Sequence, residues 1–167
     1  MEVRLLTGGD AAEFSRVRLE ALESEPEAFS SSPESHRALG LDEVKARLSA
    51  GPAGNFVVGA FLDSVLIGVA GFFRDQGLKQ RHRGHVWGVY VSPGARGKGA
   101  GRKLMTALLG RAAEIGGVEQ VVLSVTATQT AAIELYRSVG FRSFGLEPRG
   151  LKVDGRYLDT EYMALTL

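Results

Sequence analysis

Hydrophobic and polar positions along this chain change period several times, and each change marks an element. Val3–Leu6 is a short apolar run of strand type. From Asp10 to about Ser24, apolar residues recur at Phe14, Val17, Ala21 and Leu22, the spacing of one helix face, with Asp10 as cap and Pro26 as stop. Residues Glu27 to Pro33 read as loop from their serines and prolines. A short helix is predicted over Leu41–Ala50, ended by Gly51-Pro52. Strands follow at Asn55–Leu62, Val65–Arg74 and Arg83–Val91. A helix over about Gly99–Ile115 carries Leu104, Leu108 and Ala112 as one stripe, with Met105 and Leu109 beside it, and Gly116-Gly117 ends it. Then come a strand at Gln120–Val125 and a helix around Tyr136. Two last strands, about Arg142–Val153 and Arg156–Leu167, flank Asp154-Gly155, a dipeptide suited to a tight hairpin. The order β-α-α-β-β-β-α-β-α-β-β predicts an α/β domain built on a mixed sheet.

Size and charge narrow the class. With 167 residues and an apolar fraction of 44%, the chain fits one domain over residues 1–167 with a real core. The net charge of +1 gives no global field for nucleic acid or an anionic membrane. Without cysteine there is no disulfide, thiolate metal site or cysteine nucleophile, and no His/Asp/Glu spacing suits a metal. The start, Met1 to Thr7, lacks the long apolar core of a signal peptide. Asn55 to Phe73 is the most apolar region, but Asp63-Ser64 breaks it into a hairpin rather than a span of ~20 apolar residues. These readings predict a cytoplasmic protein acting on neither membrane nor nucleic acid, and they leave a homodimer open.

The most specific chemistry lies in Val89 to Leu104. A strand stops at Pro93, a basic glycine turn follows, and an amphipathic helix starts at once. Such a junction directs unpaired backbone N–H groups and the positive end of a helix dipole at one place, and so suits an anion. Gly97, Gly99 and Gly101 remove side chains, which lets a phosphate approach the backbone. A Walker loop is excluded, because Ala100-Gly101 follows Gly99 where Lys-Ser/Thr is required. The dinucleotide fingerprint also fails, since Arg102 or Leu104 falls at its last glycine. With so small a net charge, the cluster Arg96, Lys98, Arg102 and Lys103 reads as a ligand feature, with a solvated loop as the plainer alternative.

Arg96, Gly99 and Gly101 fit Arg-x-x-Gly-x-Gly, and this resembles the pyrophosphate-binding motif of the GNAT superfamily of acetyl-CoA-dependent N-acetyltransferases. A second stretch, Gln129 to Phe141, is similar to that family's Asn-x-x-Ala-x-x-Leu-Tyr-x-x-x-Gly-Phe. Ala132, Leu135, Tyr136 and Val139 share one helical face, and Gly140 stands where a helix C-cap favours positive φ. Gln129 departs from the family's asparagine, which affects a side-chain contact and not a backbone cradle. The resemblance implies a GNAT fold: a mixed, mostly antiparallel seven-stranded sheet, central strands splayed, helices on both faces. It implies acetyl-CoA as acyl donor, without a metal, contacted through Val89, Tyr90, Val91, Arg96, Gly97, Lys98, Gly99, Ala100, Gly101, Arg102 and Gln129. It implies direct attack on the thioester by a primary amine, either a small molecule or a peptide N-terminus.

The amine sets what the catalyst needs. Stripping the proton at neutral pH costs about 4–5 kcal/mol for a lysine-like amine and about 1 kcal/mol for an α-amine. A base, or water leading to one, therefore helps. Several family members carry a carboxylate eleven residues ahead of the first motif residue, where this chain has His85; the alternative is a structural histidine. Strand alternation puts His85, Trp87 and Val89 on one face, subject to a bulge, and offers His85 no acid adjacent in sequence. Tyr136 falls at the family's general-acid position, to protonate the leaving thiolate; the alternative is a core aromatic. A backbone N–H within Val89–Val91 would hold the oxyanion. His82 and His36 read as exposed. Phe29, Ser30–Ser32, Phe73, Trp87 and Tyr157 are the acceptor-side candidates, with Trp87 the best aromatic and Phe29 and Phe73 also readable as core. Two further classes compete: a non-catalytic acyl-CoA sensor on the same fold, which would have no need of Tyr136, and a nucleotide-binding module, which the failed fingerprints oppose.

Overall fold

The computed structural model describes residues 1–49 and 54–167. Its strands are β1 (Glu2–Leu5), β2 (Phe56–Leu62), β3 (Val65–Arg74), β4 (Arg83–Val91), β5 (Gln120–Thr126), β6 (Arg142–Val153) and β7 (Arg156–Thr166). Its helices are α1 (Ala11–Ser24), α2 (Pro33–Arg37), α3 (Leu41–Ser49), α4 (Ala100–Ala113) and α5 (Thr130–Ser138). The seven strands form one sheet in the order β1-β2-β3-β4-β5-β7-β6, antiparallel except where β4 meets β5. This is the mixed seven-stranded sheet expected. Among the described residues, no helix is long and apolar enough to cross a membrane.

Each face of the sheet carries its own core. Val58, Phe72, Val86 and Val121 pack under Leu104, Met105 and Leu108 of α4 and Ile133 of α5. Val57, Val69 and Tyr90 pack under Phe14, Val17 and Ala21 of α1 and Val44 of α3. Burial thus follows the helical stripes read from the sequence.

Local chemistry accounts for the departures. Asp10 does not cap α1 through its side chain; its carboxylate accepts from the Thr7 N–H (2.8 Å) and pairs with Arg4 (2.7 Å), closing the turn ahead of the helix. The segment expected to be loop up to Pro33 leads instead into α2. Ser32 caps that helix by accepting from the Ser35 N–H (3.2 Å), and Pro33 brings a helix-compatible φ to its first position. The expected end of the next helix at Ala50 and its Gly51-Pro52 stop lie outside the described residues. Asp63-Ser64 and Asp154-Gly155 both have positive φ at two successive residues, the geometry of two-residue hairpin turns.

Two irregularities shape the middle of the sheet. Gly88 has φ +63°, and the β3–β4 register slips between Gly71–Trp87 and Val69–Tyr90, so β4 bulges there. In addition, β4 pairs with β5 only through Arg83–Gln120, Gly84–Val121 and His85–Val122, and beyond His85 the two strands part. The central strands are therefore splayed, with the opening bounded by Val86–Val91 and Leu123–Thr126.

Candidate active site

The opening between β4 and β5 is the floor of a cleft of about 440 Å³. Its walls include Val86 to Val91, Arg96, Gly97, Gly99 to Arg102, Leu123 to Val125, Gln129, Leu135 and Tyr136. Most residues implied for the cofactor thus converge; Lys98 is the one turn residue outside the wall, its Nζ donating to the Gly94 carbonyl (3.1 Å).

The glycine turn is built to present N–H groups. Gly97 (φ +74°) and Gly99 (φ +78°) adopt left-handed backbone, and a Cβ on either would meet nothing within 4 Å. Among the described residues, none of the backbone N–H groups from Gly97 to Arg102 donates to a backbone carbonyl; the ladder of α4 starts with Lys103 N–H to Gly99 O (3.1 Å). Six donors at a helix N-terminus with room beside them fit a diphosphate. Gly101, in the cleft wall, also meets α5. A Cβ there would lie 3.0 Å from Leu135 Cδ2, so the missing side chain leaves room for that methyl. Arg96 secures the turn rather than pointing outward: its Nε donates to the Val91 carbonyl (2.9 Å) and its Nη2 to Glu25 (2.8 Å).

Just past the end of β4, Ser92 donates its N–H to the Ile67 carbonyl of β3 (2.8 Å). Backbone alternation therefore leaves the polar groups of Val91 and Val89 on the side where β5 is missing. The bulge corrects the face assignment made from strict alternation. Val89 packs with the α4 core, whereas Tyr90 joins His85 and Trp87 on the α1 face. The Tyr90 hydroxyl donates to Glu20 (3.0 Å) and contacts Ser24 (3.1 Å), so Tyr90 serves the cleft by backbone only.

Tyr136 is 7% exposed, stands edge-on to Phe141 and lines the cleft. Burial alone pushes its hydroxyl well above the ordinary tyrosine range, so it is protonated at neutral pH. Gln129 occupies the N-cap of α5 without a side-chain capping bond, and its side chain lines the cleft.

His85 is placed differently from expectation. It stands where β4 still pairs with β5 and is not among the cleft-lining residues. Its ring stacks on Phe73 (4.5 Å), and Nε2 meets Asp75 Oδ2 at 2.9 Å. The acid absent from its sequence neighbourhood comes across the β3–β4 hairpin. Burial raises the Asp75 carboxyl, but the hydrogen bonds and charges of His85 and Arg83 outweigh it and hold Asp75 below the usual carboxylate range. The histidine is thereby engaged with Asp75, outside the lining of the cleft. Tyr157 also stands apart, 52% exposed near the tip of the last hairpin between Arg149 and Lys152. His82 is exposed as expected, but His36 is half-buried against Phe14.

The acceptor side has two hollows meeting at Arg18 and Trp87. One, of about 390 Å³, continues the cleft past Phe29 toward Ser124, Glu147 and Tyr162. The other, of about 500 Å³, runs beneath α1 and α3 past Phe73. Thr126 Oγ1 donates to the Glu27 carbonyl (2.6 Å) and ties the Phe29 loop to β5. Arg18, Glu25, Asp75 and Gly88 were not singled out from the sequence. Two of them had a legible signal: a lone glycine inside a strand marks a bulge, and Arg18 sits at an apolar position in the stripe of Phe14, Val17, Ala21 and Leu22.

Comparison with known proteins agrees with this geometry. Residues 17–141 match the family model described as the acetyltransferase (GNAT) family. The chain is 41% identical over 101 residues to the N-alpha-acetyltransferase RimI of Mycobacterium tuberculosis, covering 60% of this chain and 61% of that protein. It is 35% identical over 79 residues to the L-amino acid N-acyltransferase MnaT of Escherichia coli, covering 47% and 45%. The chain thus spans less than two thirds of these curated relatives. Among solved structures, an acetyltransferase of the GNAT family from Streptococcus pneumoniae superposes with a TM-score of 0.90 over 99% of both chains at 24% identity. A phosphinothricin acetyltransferase from Sinorhizobium meliloti in complex with acetyl-CoA gives 0.81 at 25% identity, covering 99% of this chain and 88% of that one. With its glycine turn, splayed strands and a family match over most of its length, the chain belongs to the GNAT acetyltransferase family.

Proposed function

We propose that residues 1–167 form a single cytoplasmic N-acetyltransferase domain that moves an acetyl group from acetyl-CoA to a primary amine by direct attack in a ternary complex. The observation that carries this reading is the set of free N–H groups from Gly97 to Arg102 at the mouth of the splay, with Tyr136 in its wall. Acetyl-CoA supplies an activated thioester carbonyl. The turn holds its diphosphate through backbone N–H groups, and Arg102 adds charge at the rim. The edge of β4 left open at Val89 and at the Val91 N–H binds the extended arm, and one of its N–H groups stabilises the oxygen that becomes negative on attack. Tyr136 donates its proton to the departing sulfur; its desolvated hydroxyl ionises only when it passes that proton on. The acceptor amine enters from the side of Arg18, Phe29 and Trp87, and its proton leaves through water.

The test follows free thiol release with acetyl-CoA and a panel of amines. Tyr136→Phe should lower kcat by roughly 10²-fold while calorimetry shows unchanged acetyl-CoA affinity. Tight acetyl-CoA binding without thiol release for any amine would instead favour a non-catalytic sensor of acyl-CoA.

A further inference from the structure

Arg18 has no bonding task in the scheme above. It lies in the middle of α1, is 7% exposed, and its Nη1 is wholly buried with no hydrogen-bond partner among the described residues. The guanidinium lies over the rings of Phe29 (4.8 Å) and Trp87 (5.9 Å), which cushion it without neutralising it. Burial lowers its pKa only to about 10, so it keeps its charge at neutral pH. A charge held out of water without a counter-ion is costly, and a fold that retains one has a use for it.

A second orphan lies beside it. Among the described residues, the buried side-chain polar atoms lacking any partner are Arg18 Nη1 and His36 Nε2, and both residues line the hollow of about 500 Å³ beneath α1 and α3. Arg47, also on its wall, is already paired with Glu43 (2.6 Å). Among the described residues no acidic side chain lines this hollow, and the rest of its wall is largely apolar, with Phe14, Leu22, Leu39, Val44 and Leu48. One end is therefore cationic and unsatisfied, and the body is greasy. The position of Arg18 ties the hollow to the reaction: its Nη1 lies 3.4 Å from where a Cβ on Gly88 would stand, and Gly88 is in the wall of the acetyl-CoA cleft.

On the acetyl-transfer reading, we propose that the acceptor is a free α-amino acid with an apolar side chain, its carboxylate bound by Arg18 with His36 Nε2 as second donor. A carboxylate on Arg18 places an amine on the adjacent carbon beside the β4 bulge, where the thioester is held. The side chain of the same molecule then runs into the apolar hollow. A peptide N-terminus has a neutral amide where the carboxylate is required, with one acceptor oxygen instead of two and no counter-charge for the buried guanidinium.

The test compares L-leucine with L-leucinamide, which differ at that one group, as acceptors for wild type, Arg18→Gln and Arg18→Lys. Calorimetry of L-leucine binding to the CoA-saturated protein runs alongside. Wild type should favour leucine in kcat/KM by roughly 10- to 100-fold, the range of a hydrogen bond to a charged group. Arg18→Gln should lose that preference and weaken leucine binding by a similar factor, with acetyl-CoA affinity unchanged as evidence of folding. Arg18→Lys should recover part of both. Equal use of leucine and leucinamide by wild type, or a preference that survives in Arg18→Gln, overturns the anchor. Arg18-dependent leucine binding without thiol release supports the anchor and overturns acetyl transfer; transfer to leucinamide at the rate for leucine does the reverse.

Discussion

Asp75 and His85 show how a residue's meaning depends on what the fold sets beside it. Asp75 accepts from His85 Nε2 and from Arg83 (3.0 Å), and its carboxyl is held below the ordinary range. A depressed folded-state pKa stabilises the protein above the unfolded pKa of ~3.9 and loses that contribution as pH falls through the lower folded value. Asp75→Asn should therefore cost roughly 1–2 kcal/mol at pH 7, and denaturant titration should show the gap to wild type narrowing as pH drops below about 4. His85→Ala should lose similar stability yet leave the acidic limb of kcat/KM in place; a lost limb would restore His85 as the base. At this scale the sequence was legible where a motif fixes placement, as for Gly97, Gly99 and Tyr136, which all line the cleft. It was silent on Asp75, which reaches His85 across a hairpin ten residues long in separation. Arg18 was legible in principle, since a guanidinium at the i+4 position of an apolar stripe is an anomaly that periodicity exposes.

Whole elements were easier to read than their ends. Hydrophobic period located the first five strands and the long helices, because both cores follow the stripes, whereas the Asp154-Gly155 turn marked the last hairpin, whose β6 is exposed along most of its length. The same signal missed α2, five residues too short to show a period and specified by Ser32-Pro33 instead. The two ends of the α4 turn call for different substitutions. Gly101→Val should force Leu135 and α5 outward, costing roughly 1–3 kcal/mol, and should lower kcat by moving Tyr136; thermal unfolding and thiol release measure both. Gly99→Ala meets open space but strains a left-handed backbone, costing about 1 kcal/mol. Its effect should fall on acetyl-CoA affinity, with kcat at saturation near wild type.

Across the whole molecule, the sheet consists of two antiparallel halves, β1–β4 and β5-β7-β6, joined by a parallel strip of three residue pairs. The amides of Val89 and Val91 face the opening and should exchange with solvent rapidly in the free protein. Bound acetyl-CoA should protect them and, at about 100 times Kd, add about 2.7 kcal/mol to unfolding; hydrogen exchange read by mass spectrometry and a thermal scan check these. The splay was implied by the family resemblance and not by the strand pattern, because Val86–Val91 and Leu123–Thr126 are as strand-like as any paired strand.

That strip is also a mechanical seam. Each half is nearly continuous in sequence, with Gly116-Gly117 at the crossing, so tension applied between Met1 and Leu167 acts on a junction that few backbone bonds resist. A ligand lying between the separated strands would act as a rivet. In single-molecule pulling, the first rupture should mark the parting of the halves, and its force should rise with acetyl-CoA.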